Sequence, residues 1–237
     1  MTHLTGKTAL ITGGSKGIGY GIAEVLIQAG MNVTITARSE TDVKAAAEKL
    51  GRLGQGQALG LVCDVRDLAA QQSVVDKTVA TFGSLDALIA NAGVGHFGPI
   101  DELSPEQWAE VIDINLTGVF NSVKASLDAL KASKGFIITI ASLAGTNFFA
   151  QGAAYNASKF GLVGFTQAIM LDLRQYGIKV STIMPGSVAS YFNNHEPSEA
   201  DSWKIQPEDI GEMVRYLLST PARTLPSKIE VRPSFPQ

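Results

Sequence analysis

The stretch Thr8-Ala-Leu-Ile-Thr12-Gly13-Gly14-Ser15-Lys16-Gly17-Ile18-Gly19 decides how this chain is read. Thr8–Thr12 is a short apolar run of strand type, and Ile18–Ala29 is apolar at helical spacing, so a glycine turn joins a first strand to a first helix. Glycines permit the tight turn and let backbone N–H groups approach an anion at a helix N-terminus, where the dipole favours negative charge. Gly13, Gly17 and Gly19 are spaced G-x-x-x-G-x-G, which differs from G-x-G-x-x-G. In isolation such a turn is only a tight loop. Between a first strand and a first helix it reads as a cradle for the pyrophosphate of a dinucleotide.

The same alternation continues along the chain. Asn32–Ala37, Gln57–Cys63, Leu85–Ala90, Phe136–Ile140, Lys179–Met184 and Lys228–Val231 have strand character. Helices are predicted at Thr41–Leu53, from Asp67 to Phe82, from Ser104-Pro-Glu-Gln107 onward, at Ala153–Leu173 and from Pro207 to about Ser219. Ser104 begins a capping box with Pro at the first helical position. The pattern implies an α/β fold: a Rossmann-type doubly wound parallel sheet of about seven strands, helices on both faces, and ligands at the carboxyl edge.

With 237 residues and no linker or repeat, residues 1–237 read as a single dinucleotide-binding domain. The formal charge of -3 and the lack of a basic run argue against nucleic acid and anionic membrane partners, leaving small molecules. Charged residues make up 17%, below the roughly 25% of an average soluble domain, which points to surface withdrawn into subunit contacts. Met1–Lys7 has no apolar signal core, and no run approaches the ~20 apolar residues of a membrane span, so a cytoplasmic location is expected. Cys63, the only cysteine, reads as a core thiol, and His3, His96 and His195 are too scattered for a metal motif. No metal site is assigned.

Chemistry concentrates in Ser142–Lys159. Tyr155 and Lys159 share a helix face one turn apart, and an ammonium beside a phenol favours the phenolate. A free phenol has a pKa of about 10, so bringing it down by ~3 units takes about 4 kcal/mol, more than one exposed ion contact supplies. Further positive charge is needed, as an oxidised nicotinamide would provide. Any amphipathic helix can carry a tyrosine and a lysine at this spacing; Ser142, directly after the strand Phe136–Ile140, is what gives the pair its context. Asn115 lies inside a helical stretch, where asparagine is disfavoured, a local conflict of the kind found at functional sites.

Ala37-Arg38-Ser39 stands where sites selective for NAD usually carry an acid to bind the ribose 2′-OH. Arg38 and Lys16 are instead suited to a 2′-phosphate, pointing to NADP(H), with Glu40 and Asp42 as the nearest competing acids. Asp64 is placed to meet an adenine ring, although a turn role is equally open to it.

Thr12-Gly-Gly-Ser-Lys-Gly-Ile-Gly19, Asp64, Asn91-Ala-Gly93, Asn115, Ser142, Tyr155-x-x-x-Lys159 and Pro185-Gly186 together resemble the short-chain dehydrogenase/reductase family, over nearly the whole chain. The resemblance implies a catalytic set of Asn115, Ser142, Tyr155 and Lys159. In it Tyr155 protonates a carbonyl oxygen, Ser142 donates a hydrogen bond to that oxygen, Lys159 binds the nicotinamide ribose, and Asn115 holds a water in a proton relay. It also implies cofactor contacts from Gly13, Ser15, Lys16, Gly17, Ile18, Gly19, Arg38, Asp64, Val65, Asn91, Ala92, Gly93, Tyr155, Lys159, Pro185, Gly186, Val188 and Ser190, a lid at about 188–206, and a tetramer or dimer. Three departures stand out: Ala90 where Asn is usual, Ser190 where Thr is usual, and a short lid with a C-terminus lacking a glycine-rich ending.

The function expected is NADPH-dependent reduction of a ketone or aldehyde. Two alternatives are reduction of a 3-oxoacyl group on a carrier protein in fatty-acid synthesis, and a dinucleotide-binding scaffold without turnover. Some carrier-protein reductases dock the acidic carrier through basic residues just before the fifth and sixth strands. Those places fall here at Ser133 and Tyr176, with Lys131, Lys134 and Arg174 nearby. The short lid would leave an open pocket bordered by Phe97, Phe148, Phe149 and Tyr191.

Overall fold

A computed structural model describes residues 4–235, so His3 lies outside the described residues. Seven parallel strands, β1 (Thr8–Thr12), β2 (Asn32–Ala37), β3 (Ala58–Val62), β4 (Ala87–Ala90), β5 (Phe136–Ile140), β6 (Lys179–Pro185) and β7 (Lys228–Val231), form one sheet in the order β3-β2-β1-β4-β5-β6-β7. The helices are α1 (Gly17–Gln28), α2 (Glu40–Leu50), α3 (Leu68–Phe82), α4 (Pro105–Ile112), α5 (Gly118–Ser133), α6 (Ala153–Leu173) and α7 (Pro207–Ser219). The expected α/β architecture is the observed one.

Strand alternation divides the core. Ala9, Ile11, Val33, Ile35, Ile89 and Ile138 face α1, α2 and α7, whereas Leu10, Leu88, Ile137 and Val180 face α3, α5 and α6. All are buried, as a parallel sheet covered on both faces requires. Gly21 of α1 and Gly211 of α7 set how close those helices pack, since a Cβ on Gly21 would come within 2.6 Å of Pro207 and one on Gly211 within 2.8 Å of the Gly21 carbonyl. Ile210, Val214 and Leu217 of α7 thereby join the same buried cluster as Ile22 and Leu26 of α1.

Several ends differ from the sequence reading. Helix α2 starts at Glu40 because Ser39 caps it, its Oγ accepting from Asp42 N–H at 3.2 Å, and it stops at Leu50 rather than Leu53. Strand β4 starts at Ala87: Asp86 is occupied by Lys7 Nζ at 2.7 Å and by Thr8 N–H at 2.9 Å. Asp67 caps α3 and Ser104 closes its capping box, both as expected. Between α4 and α5 the chain widens into a π-helical turn, Asp113–Thr117, centred on Asn115. No helix among the described residues is long and apolar enough to cross a membrane.

The order reverses between β1 and β4, and a crevice opens above their carboxyl ends. Residues 188–206 pass over it. Their root is pinned by Val188 pairing with Ile205, through Ala189 N–H to the Ile205 carbonyl at 2.9 Å and Ile205 N–H to the Ser187 carbonyl at 3.1 Å.

Candidate active site

Turn 13–19 leaves the N-terminus of α1 uncapped: Lys16 makes no side-chain cap bond and no acid lies in the first turn. The positive end of the helix is therefore available to an anion. Gly13 at φ 65° and Gly17 at φ 58° need their left-handed backbone. Gly14 N–H donates to the Thr36 carbonyl at 2.9 Å, fixing the turn to the end of β2. Asn91 ties it to β4, its Nδ2 donating to the carbonyls of Thr12 at 2.9 Å and Gly13 at 3.1 Å, while the Thr12 hydroxyl accepts from Asn91 and Ala92 N–H.

These residues line one continuous cleft of about 720 Å³. It runs past Ser15, Ile18, Arg38, Asp64, Val65, Gly93, Ser142, Tyr155, Lys159, Pro185, Gly186, Val188 and Ser190, so the structure brings together most of the set expected from sequence. Gly19 and Asn115 stand behind the wall. A Cβ on Gly19 would meet Asn91 Nδ2 at 2.6 Å and the Gly13 carbonyl oxygen, so this glycine serves the packing of helix against turn and not contact with a ligand. Asn115 is fully buried. Its Oδ1 accepts from Val94 N–H at 2.8 Å, and its Nδ2 donates to the Val94 carbonyl at 2.9 Å and to Ser158 Oγ at 3.0 Å. Its side chain pins the loop after β4 to α6.

Around Tyr155, Lys159 Nζ lies 5.6 Å from the ring centre and donates to the Ile140 carbonyl at 3.1 Å. Burial pulls the Lys159 ammonium down to about 8. Burial likewise pushes the Tyr155 phenol above its ordinary value, and the Ser142 hydroxyl pulls back only in part. The lysine alone therefore does not make a phenolate; in this state Tyr155 carries its proton at neutral pH. Ser142 Oγ also accepts from Ala144 N–H at 3.1 Å, which fixes its direction.

At the far end of the cleft, Arg38 is exposed and makes no ion pair among the described residues, whereas Glu40 is taken up by Lys44 at 2.6 Å and does not line the cleft. Asp42 does line it. Lys16 sits over the Tyr191 ring at 5.4 Å. Asp64, expected at an adenine ring, holds Arg66 through both carboxylate oxygens, at 2.5 Å and 3.0 Å, and that guanidinium lowers its pKa. Cys63 also lines the cleft, its thiol pushed up to about 11 by burial and then by Asp64 and Asp67.

Sequence reasoning missed Phe192, whose ring centre lies 5.5 Å from that of Tyr155, and misplaced one of its four border aromatics. Phe97 and Phe149 belong to the Tyr155 cluster and Tyr191 lines the cleft beneath Lys16, but Phe148 points outward at 87% exposure. It also missed Ser158 and Asn156. Asn156 Nδ2 holds the carbonyls of Ala144 at 2.8 Å and Asn147 at 2.9 Å, closing the loop that follows Ser142.

A glycine cradle at a free helix N-terminus, a long cleft at the switch point and a serine, tyrosine and lysine at its base define an oxidoreductase of the dinucleotide-dependent, Rossmann type. The chain belongs to the short chain dehydrogenase family, whose pattern it matches over residues 7–201. It is 39% identical over 187 residues to trans-4-hydroxycyclohexanecarboxylate dehydrogenase of Sinomonas cyclohexanicum, covering 77% of this chain and 72% of that protein. It is also 39% identical over 187 residues to the 3-oxoacyl-acyl-carrier-protein reductase of Escherichia coli, covering 78% and 75%. A metagenomic short-chain oxidoreductase solved in complex with NADP superposes with a TM-score of 0.86 at 35% identity, over 99% of this chain and 100% of that one.

Proposed function

We propose that this protein reduces a ketone or aldehyde to an alcohol with NADPH, with Tyr155 as the general acid, residues 188–206 as its lid and the whole chain as one domain. The observation that carries the reading is Tyr155, still protonated, beside Ser142 and Lys159 at the base of a cleft whose other end presents an unpaired Arg38. The cleft fits a dinucleotide: the α1 N-terminus and turn 13–19 would hold the pyrophosphate, Arg38 and Lys16 the 2′-phosphate, and Lys159 the nicotinamide ribose. Bound there, the reduced nicotinamide supplies a hydride. Ser142 donates to the carbonyl oxygen, and Tyr155 gives its proton to the same oxygen as negative charge grows on it. Asn115 keeps the loop at Val94 and helix α6 in register beneath these groups.

The Lys159 ammonium, held at about 8, sets an expected pH profile. Ribose binding and the pull on Tyr155 both use the protonated form, so kcat/KM for NADPH, which reports the free enzyme, is level at lower pH and falls as pH rises through about 8. A flat profile to pH 10 removes Lys159 from cofactor capture.

The substrate in this reading is a free carbonyl compound. Neither Ser133 nor Tyr176 is basic, and Lys131, one of the nearby cations, is stacked over the Tyr176 ring at 4.5 Å. Losing two desolvated contacts to an acidic carrier costs about 2–4 kcal/mol. Small free ketones are therefore expected to match or exceed acetoacetyl carrier protein in kcat/KM, at low and at physiological salt. A large, salt-sensitive advantage for the carrier-bound substrate returns the protein to fatty-acid synthesis. Wild-type NADPH binding without oxidation against any carbonyl compound supports the scaffold instead.

Exposed Trp108, Phe120 and Phe160 stand on adjacent helices α4, α5 and α6, with Phe120 edge-on to Phe165 at 6.4 Å. They support a homo-oligomer, dimer or tetramer. Sedimentation at micromolar concentration reads this directly, and a monomer refutes it.

A further inference from the structure

The apolar side of Tyr155 is closed by another ring. Phe192 lies with its centre 5.5 Å from Tyr155 and 6.2 Å from Phe97, and Phe97 stands edge-on to Tyr155 at 5.4 Å, so the three rings form a triangle. Two of its corners are framework, Tyr155 on α6 and Phe97 on the loop after β4. The third is brought by residues 188–206, a segment pinned at its root and otherwise made of short turns. Directly after Phe192 the chain turns through Asn193 at φ 56°, a conformation asparagine tolerates.

Gly95 forms the floor of the triangle. A Cβ there would come within 2.7 Å of Phe192 Cζ and 2.8 Å of the Phe97 ring. Gly95 is not among the glycines with positive φ, so ring space, and not backbone conformation, accounts for its missing side chain. A phenyl group thus already fits against the tyrosine at a place where a substrate bound to Tyr155 needs room. Phe149, 6.0 Å from Phe97 and held by its N–H to Asn156 Oδ1 at 3.3 Å, extends the same wall outward.

The geometry points to Phe192 occupying the seat of the substrate's own ring: the substrate is an aryl ketone, whose flat apolar ring replaces Phe192 against Tyr155 and Phe97. This rests on the reductase reading above and narrows it. Edge-to-face contacts reward a ring over a flexible chain of equal carbon number, which must also be ordered on binding.

The test compares acetophenone with 2-octanone, using NADPH, for wild type, Gly95→Ala and Phe192→Ala. Wild type is expected to favour acetophenone in kcat/KM by about tenfold or more, from two ring contacts. Gly95→Ala places a methyl group in the seat and raises KM for acetophenone by at least ~10-fold, with a smaller rise for the flexible chain. Phe192→Ala removes the competing ring and lowers KM for acetophenone by roughly 3–10-fold. Should Gly95→Ala fail to fold, Phe192→Ala decides the matter, since its side chain lies on a partly exposed segment. A rise in KM for acetophenone in Phe192→Ala, or equal handling of the two ketones by wild type, overturns the ring seat while leaving the reductase standing. Absence of NADPH oxidation with every ketone and aldehyde overturns both.

Discussion

Tyr155→Phe is expected to lower carbonyl reduction by at least ~10²-fold while NADPH still binds, because it deletes one hydroxyl and keeps the ring. The ring is half of what Tyr155 does structurally: it packs against Phe97 at 5.4 Å and Phe192 at 5.5 Å, and phenylalanine preserves both contacts. In the proposed reaction the lost hydroxyl is the proton source beside Ser142, and neither Ser142 nor Lys159 would replace it. Lys159 is turned to the Ile140 carbonyl and sits 5.6 Å from the ring centre. Fluorescence titration with NADPH, together with steady-state rates on a reducible ketone, checks the split. Normal turnover in the variant would remove Tyr155 from the reaction.

Arg38→Asp is expected to reverse the cofactor preference. On the proposed reading, Arg38 and Lys16 together would offer charge-assisted contacts to a 2′-phosphate on the order of 3 kcal/mol after solvent screening, roughly a hundredfold in kcat/KM for NADPH over NADH. Aspartate at the same place repels the phosphate and accepts from a ribose 2′-OH. Glu40 does not already play this part, because Lys44 holds it at 2.6 Å on the outer side of α2. Asp42 and Asp64 both reach the cleft, but Asp64 is held by Arg66, which leaves Asp42 as the cleft acid outside any ion pair among the described residues. Equal rates with the two cofactors in wild type would therefore identify Asp42 as the controlling group.

What the sequence made legible follows from what was periodic or stereochemically forced. β1, β2, β5, β7, α6 and α7 stand on their expected residues because apolar runs, capping boxes and glycine turns are local signals. The start of β4 was set by Lys7 and Thr8, partners far along the chain, and the start of α2 by the Ser39 cap. At the site, the conflict that marked Asn115, a polar residue inside a helix, also applied to Asn156 and Ser158 in α6 and would have found both. Phe192 left no such trace. It sits in irregular chain, where neither period nor cap constrains a side chain, and only the folded path carries it to Tyr155. The burial of Tyr155 escaped for a similar reason: spacing reveals the neighbouring lysine but not how far burial raises the phenol.

The thiol of Cys63 has a consequence for chemical hardiness. Conjugated enones alkylate thiolates and aldehydes add to them reversibly, and an enzyme that gathers such compounds in a cleft exposes its own nucleophiles to them. With its pKa at about 11, the sole cysteine is thiolate in roughly one molecule in ten thousand at neutral pH, although it borders that cleft. Burial first, and then the negative charge of Asp64 and Asp67 beside the sulfur, keep it in the unreactive thiol form.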